Sequence, residues 1–485
     1  MLFGSVLYMI ILPAILLVCR FVPKKFKYFW LLVCSLVFWI TQSAGFVLWL
    51  ILAIAVTYAA GIILGAVRGM TLRKLTVAAA VILELAALFI FKYLNFSLAL
   101  IGNPLRFEFA VPLGISFYTF QSISYIIDVY RDSSKAEKNP LKIALFLSFF
   151  LSVVSGPVCR AGDMLPQFTE PRDMSLEDIK TGMQKMLWGY FLKLAIAGRL
   201  TIVVDNVYAD CTKYSGFVIA FTALAYLFML YCDFEGYSQI VIGSGYMLGI
   251  RMKENFRQPF FSSSMGEVWR RWHVSLSSWF RDYLYIPLGG NRRGIVRKYV
   301  NIFIVLVVSG IWHGANMTFV IWGALNGAYI IIGQLLIPYR DRIAASVKEK
   351  ICKGEGAGAA FDRTRTFLKR VGVYILTSFT FIFFSNRNVT SAWFAVKGIL
   401  LRFSLRGAAA QLTGLGLGSF NLAFALVMVL FVLVADSYAY KRSCDTPSLI
   451  RTIPTPVRWA IYYALLIAIL FSANLTGKEF IYSRM

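Results

Sequence analysis

The sequence predicts an all-α, polytopic integral membrane protein, and three observations carry that expectation. Of its 485 residues, 59% are hydrophobic and only 15% charged, against about 25% charged in ordinary soluble chains. Strongly apolar runs recur from end to end, and the longer ones, with their flanks, approach the ~20 residues that cross a hydrocarbon core as a helix. The weak alternation of a membrane barrel strand is missing. Helices, by contrast, satisfy every backbone polar group within the span itself.

In chain order the clearest runs are Leu2–Val18, Phe29–Ile40, Phe46–Ile63, Leu75–Phe91, Ala144–Val154, Val218–Tyr231, Val300–Ile311, Leu422–Ala435 and Ala460–Phe471. With the weaker stretches between them, roughly eleven to thirteen membrane segments are expected. The opening "MLFGSVLYMIILPAILLVCR" has no basic leader and no small-residue cleavage site, so it reads as a retained first helix. Arg20, Lys24, Lys25 and Lys27 follow it, the next gap "TQSAG" is uncharged, and the next, "AVRGMTLRK", is basic. That alternation predicts an outside N-terminus and cytoplasmic basic loops. Cys159–Lys185 is semi-polar and is expected to lie along the membrane or enter it obliquely, with Ser175 and Asp178 signalling a helix start. Tyr339–Arg370 is expected to be a basic, partly helical cytoplasmic loop within a single domain spanning residues 1–485.

The formal net charge is +25. Short loops between spans account for it, as membrane topology requires, so it does not point to nucleic acid. Seven scattered cysteines and two histidines form no zinc-ligand spacing, and no metal site is expected. The sequence contains no GxSxG elbow and no Walker loop. "GSGYMLG" (Gly243–Gly249) follows no parallel strand, which leaves a dinucleotide reading weak.

The two histidines are the conspicuous residues. His273 lies in "VWRRWHVSLSSWFRDYLYIPLGG". If Val268–Tyr283 is one helix, Trp269, Trp272, Leu276, Trp279, Phe280 and Tyr283 share an arc of about 100°. Arg270, His273, Ser277 and Arg281 then share a neighbouring arc of about 80°. The strip is either an interfacial anchor whose arginines meet lipid phosphate or the wall of an interior chamber binding an anionic cofactor. Asp282 is a partner for Arg270 or Arg281. His313 lies in "FIVLVVSGIWHGANMTFVIWGALNGAYIII", which has no other acidic or basic side chain. Ser309, His313 and Asn316 are expected on one helix face, and Gly310/Gly314 and Gly323/Gly327 permit close helix contact. An ionisable group so placed is costly and points to function. A neutral histidine can take a proton from a hydroxyl attacking an activated acyl group, so acyl transfer suits this sparse set. The tryptophans beside both histidines read as packing and interface residues.

The sequence resembles the membrane-bound O-acyltransferase family, in particular the bacterial branch that includes the membrane subunit of alginate O-acetylation. The resemblance rests on "VPLGISFYTFQSISYIIDVYR", "SGPVCRAGDMLPQF", "YCDFEGYSQIVIGSGYMLGI", "NFRQPFFSSSMGEVWRRWHVSLSSWFRDYLYIPLGGNRRG" and "GIWHGANMTFVIWGALNG", in that order. It implies helices around a central funnel, with His313 as the essential histidine and His273 at the second position, and with both near the constriction. Arg270 and Arg281 are candidates for binding the acyl donor. It also implies a cytosolic donor that is co-substrate rather than bound cofactor, either acetyl-CoA or an acylated carrier protein. Further implications are a cell-envelope polysaccharide acceptor, an extracytoplasmic acyltransferase partner, membrane lipids as surroundings and a place in the bacterial cytoplasmic (inner) membrane. Glu235 departs from the smaller residue expected there and, with Asp233, is a candidate contact to acceptor or partner. D-alanyl transfer to teichoic acids is an alternative activity. A polysaccharide-precursor transporter and a subunit that only scaffolds its partner are alternatives of another class.

Overall fold

The computed structural model describes residues 6–154, 156–352 and 355–472. These residues form helices joined by short turns, with no strand among them. Eight helices are long and apolar enough to cross a membrane: Ala44–Ala66, Met70–Leu100, Leu176–Ala209, Gly216–Met247, Ile295–His313, Met317–Leu335, Gly356–Ser385 and Ser419–Arg442. Leu7–Phe21, Val389–Leu401 and Thr455–Leu470 are shorter apolar helices. The first apolar run begins at Leu2, and its residues 2–5 lie outside the described residues.

Gly216–Met247 is the axis of the bundle. From Ala225 through Gly245 every residue except Phe228 is buried. The helix has no polar face because other helices surround it. Leu176–Tyr190 packs along it through glycines. A Cβ on Gly182 would collide with the Gly243 carbonyl oxygen, and one on Gly189 would stand 2.5 Å from that of Gly236. "GSGYMLG" is thus helix-packing surface, not a phosphate loop. Ser175 caps the Leu176–Tyr190 helix by accepting from the Asp178 N–H at 3.0 Å. The helix then continues to Ala209, and Leu176–Ala209 as a whole is long and apolar enough to cross a membrane. The buried Lys185 pairs with Asp445, Lys193 with Asp233, and Arg251 with Asp178.

The run Ala144–Val154 is divided at Phe149 into two short helices, Pro140–Ser148 and Phe150–Val153. The freed backbone groups find partners on a neighbouring helix. Trp39 Nε1 donates to the Ser148 carbonyl at 3.0 Å, and the Phe150 N–H donates to Ser35 Oγ at 3.3 Å. Irregular backbone is tolerated at membrane depth where protein covers it. Residues 337–370 form a helical hairpin, Ile337–Ile351 followed by the first turns of Glu355–Ser385. Lys348–Asp362 and Arg365–Asp341 clasp its arms.

Candidate active site

The expected helix Val268–Tyr283 does not exist as one element. Met265–Arg271 ends, Trp272 is extended, and His273 takes the left-handed conformation at φ 47°, ψ 52° before Val274–Phe280 resumes. The cause is the crossing segment 251–258. Its Asn255 carbonyl accepts from the Val274 N–H at 2.8 Å, and its Arg257 N–H donates to the Arg271 carbonyl at 2.9 Å. The fully buried Asn255 side chain reaches Ser238 at 2.9 Å and accepts from Ser275 at 2.6 Å. A helix cannot continue through a backbone already bonded sideways, and a left-handed non-glycine residue persists only where its surroundings over-determine it.

His273 is only 2% exposed. Its ring meets Phe234 edge-on at 4.7 Å, and neither ring nitrogen has a hydrogen-bond partner among the described residues. Burial pushes its imidazole down to about 3, so it is neutral at physiological pH.

His313 is the last residue of Ile295–His313. Gly314 is extended, and Asn316 caps the following helix Met317–Leu335 by accepting from the Thr318 N–H at 3.1 Å. Asn316 is therefore not on the His313 face, contrary to the expected Ser309–His313–Asn316 strip. The region is two spans meeting beside His313. They approach so closely that a Cβ on Gly310 would collide with the Phe319 carbonyl oxygen, and one on Gly323 with that of Leu306. The His313 ring is enclosed by Trp312, Trp322 and Phe384, at 5.0, 5.3 and 5.2 Å.

Trp312 also faces His273 at 6.3 Å. The two imidazoles thus both meet one indole, and their centroids cannot be more than 11.3 Å apart, the sum of those two distances. The structure brings together two histidines separated by forty positions.

A cavity of about 470 Å³ lies beside the segments that carry this pair. Arg270, Ser277 and Arg281 line it, so the polar strip survives the break in the helix, but His273 is withdrawn into the core. The inner wall reaches Val274, which follows His273, and Ser309, one helical turn before His313. The remaining charged wall residue is Arg257, and no acidic residue lines the cavity among the described residues. Arg257 and Arg270 make no salt bridge among the described residues, whereas Arg281 is bonded to Asp282 at 2.7 Å. Asp282 also accepts from Arg160 at 2.5 Å. Burial raises the Asp282 carboxyl, but the hydrogen bonds and charges of Arg281 and Arg160 outweigh it and hold the group below its usual range. Of the same segment, Leu276, Trp279, Phe280 and Tyr283 pack with Phe117, Phe120 and Trp312, while Trp269 and Phe280 also line the cavity.

Several contributors were not singled out in the sequence. Lys92 donates to the Trp312 carbonyl at 2.7 Å, next to His313, and thereby satisfies an end-of-helix acceptor. An intramembrane lysine following an apolar run was the signal available for it. Asn255, Arg160 and Arg257 carry no such signal, because their roles depend on which segments cross. Asp233 and Glu235 are separated in space: Asp233 pairs with Lys193, while Glu235 accepts from Gln239 at 2.7 Å.

Comparison with known proteins follows the same residues. A family model described as MBOAT, membrane-bound O-acyltransferase family, matches residues 34–347, which include both histidines. The probable alginate O-acetylase AlgI of Pseudomonas aeruginosa is 34% identical over 442 residues, covering 88% of this chain and 80% of the relative. Its namesake in Pseudomonas putida is 43% identical over 263 residues, 52% of this chain, so the chain spans about half the length of that relative (54%). The peptidoglycan O-acetyltransferase of Helicobacter pylori is 29% identical over 413 residues, 77% of this chain and 74% of the relative. The teichoic acid D-alanyltransferase of Bacillus subtilis is similar over less, 31% over 227 residues, 44% of this chain and 56% of the relative.

Proposed function

This chain belongs to the membrane-bound O-acyltransferase family, and we propose that it moves acetyl groups from a cytosolic thioester donor to a cell-envelope polysaccharide. It is a multi-pass membrane protein, and its seat in this reading is the bacterial cytoplasmic membrane, with the basic loops in the cytosol. The observation that carries the proposal is a pair of buried histidines against one indole, close in sequence to Val274 and Ser309 on the wall of a cavity whose charged lining residues are all cationic. Arg257, Arg270 and Arg281 suit a phosphate-bearing donor, either acetyl-CoA or the phosphopantetheine arm of an acylated carrier protein.

In this mechanism His313 takes the proton of the acceptor hydroxyl as its oxygen attacks the thioester carbonyl. The carbon–sulfur bond then breaks, and the imidazolium returns the proton to the departing thiolate. Proton balance closes on one imidazole, which begins neutral. His273 assists from its place against the same indole. Lys92, by holding the Trp312 carbonyl, positions His313 rather than touching the reacting atoms. The acceptor approaches from the opposite side, where an extracytoplasmic acyltransferase partner receives the acyl group or completes its transfer to the polysaccharide.

The test is incubation of the purified protein, its partner and acceptor with labelled acetyl-CoA, wild type beside His313→Ala at equal membrane level. Label should reach the acceptor side only with wild type. Transfer retained by His313→Ala would remove His313 from the mechanism, and no transfer by wild type would favour a transporter or a scaffold. The similarity to D-alanyltransferases favours one second reading, D-alanyl transfer to teichoic acids. Label from a D-alanyl carrier protein, with none from acetyl-CoA, would select it.

A further inference from the structure

We propose that the helical hairpin at residues 337–370 forms the outer wall of a binding site for an anionic phospholipid, beside the donor cavity. Between this hairpin and the ends of the helices Ile295–His313 and Met317–Leu335 lies a second cavity of about 1070 Å³, slightly above the ~300–1,000 Å³ usual for ligand sites. Its lining combines two kinds of side chain. Arg270, Lys298, Arg340, Arg365 and Lys369 are on its walls, and no acidic residue lines the cavity among the described residues. Ile337, Ile343, Leu368 and Leu376 share those walls.

Those aliphatic residues decide the ligand class. Leu368 is 61% exposed, Ile343 63% and Ile337 47%, so the apolar wall runs out onto the outer surface of a membrane bundle. A free nucleotide or inorganic phosphate has no use for such a wall, and acyl chains do. The cations are only partly engaged by the protein. Arg365 pairs with Asp341, and Lys298 donates to Gln334 Oε1 at 2.7 Å. Arg340 reaches only the Gly333 carbonyl, at 3.0 Å, and Lys369 makes no salt bridge among the described residues. A basic pocket at the ends of the spans, with exposed aliphatic side chains on its walls, matches one phosphate head group and its chains. The seat is coupled to the first cavity through a common wall, since Arg270 and Gln334 line both. A bound lipid phosphate therefore closes the side of the donor cavity and adds negative charge beside Arg270.

Lipid binding is independent of the acyl-transfer reading, because it is measured without substrate. The full chain is placed in nanodiscs of mixed phosphatidylglycerol and phosphatidylcholine with matched acyl chains, and lipid retained on extraction is quantified by native mass spectrometry. Wild type should retain phosphatidylglycerol in preference to phosphatidylcholine. The double substitution Arg340→Gln, Lys369→Gln should lower that preference about tenfold. Two results would overturn the proposal. One is equal retention of the two lipids by wild type, which needs no variant to be folded. The other is displacement of phosphatidylglycerol by coenzyme A together with loss of coenzyme A binding in the double variant, which would make this cavity the outer chamber of the donor site.

Discussion

His273 and His313 both end up against one tryptophan, yet they are held by opposite means. His313 closes a regular helix, and its position follows from a straight apolar span, a glycine seam with the next span, and Lys92 on the adjoining carbonyl. His273 stands where a helix is interrupted, in a left-handed conformation fixed by Asn255 from a crossing segment. The first is placed by secondary structure, the second by tertiary hydrogen bonds. Similar burial therefore does not mean similar sensitivity: the seat of His313 rests on a continuous helix, close glycine packing and one lysine, while that of His273 rests on hydrogen bonds from residues 255 and 257 of a crossing segment.

Mutation measures how far the two seats differ. The largest effect is expected from His313→Ala, a loss of about 10²–10⁴-fold in acetyl transfer, the usual range for general base catalysis, measured as labelled ester at equal protein level. Asn255→Ala comes next. It leaves the buried Ser238 and Ser275 hydroxyls short of a partner, at about 2–3 kcal/mol of stability, and should lower activity with no change at His313. Unchanged thermal stability in detergent would mean that the break in the helix is held elsewhere.

Acid should then separate the two seats. Burial moves the His273 imidazole from 6.5 to about 3, so between those values the unfolded chain holds a proton that the folded chain does not. Stability is undiminished above pH 6.5 and falls as pH drops from 6.5 towards 3, by about 2 kcal/mol at pH 5 from this group. Thermal unfolding of wild type and His273→Asn at pH 7 and pH 5 should show a larger loss in wild type than in the variant.

The activity of His273→Ala should fall by about tenfold, less than that of His313→Ala, as an assisting role requires. Equal abolition by both would indicate that the pair acts as a unit. Smallest is the backbone effect. Asparagine tolerates the left-handed conformation better than alanine, so His273→Asn should be more stable than His273→Ala by about 1 kcal/mol.

Much of this was legible in the chain. Apolar runs of membrane length disclosed the fold class, and eight long spans with three shorter apolar helices followed. The isolation of His313 in an apolar run marked it because desolvating an ionisable group is costly. The strip Arg270, Ser277, Arg281 was also readable from its spacing, and all three residues line the cavity. The spacing failed at His273 itself, and at Asn316, for one reason: periodicity assumes a continuous helix, and both residues sit where the helix stops.

The membrane spans, the glycine seams and the two histidines are written in the chain alone, because they follow from local periodicity and from the solvent the chain must satisfy. It takes the folded bundle to set both histidines against one indole, to break the helix before Val274 with Asn255, and to pair some cations and not others. Lys185 and Lys193 are neutralised by Asp445 and Asp233, while Arg257 and Arg270 face a cavity without a carboxylate among the described residues. Those outcomes depend on which segments cross at atomic distance, and hydrogen bonds and ion pairs between residues distant in the chain leave no period in the sequence.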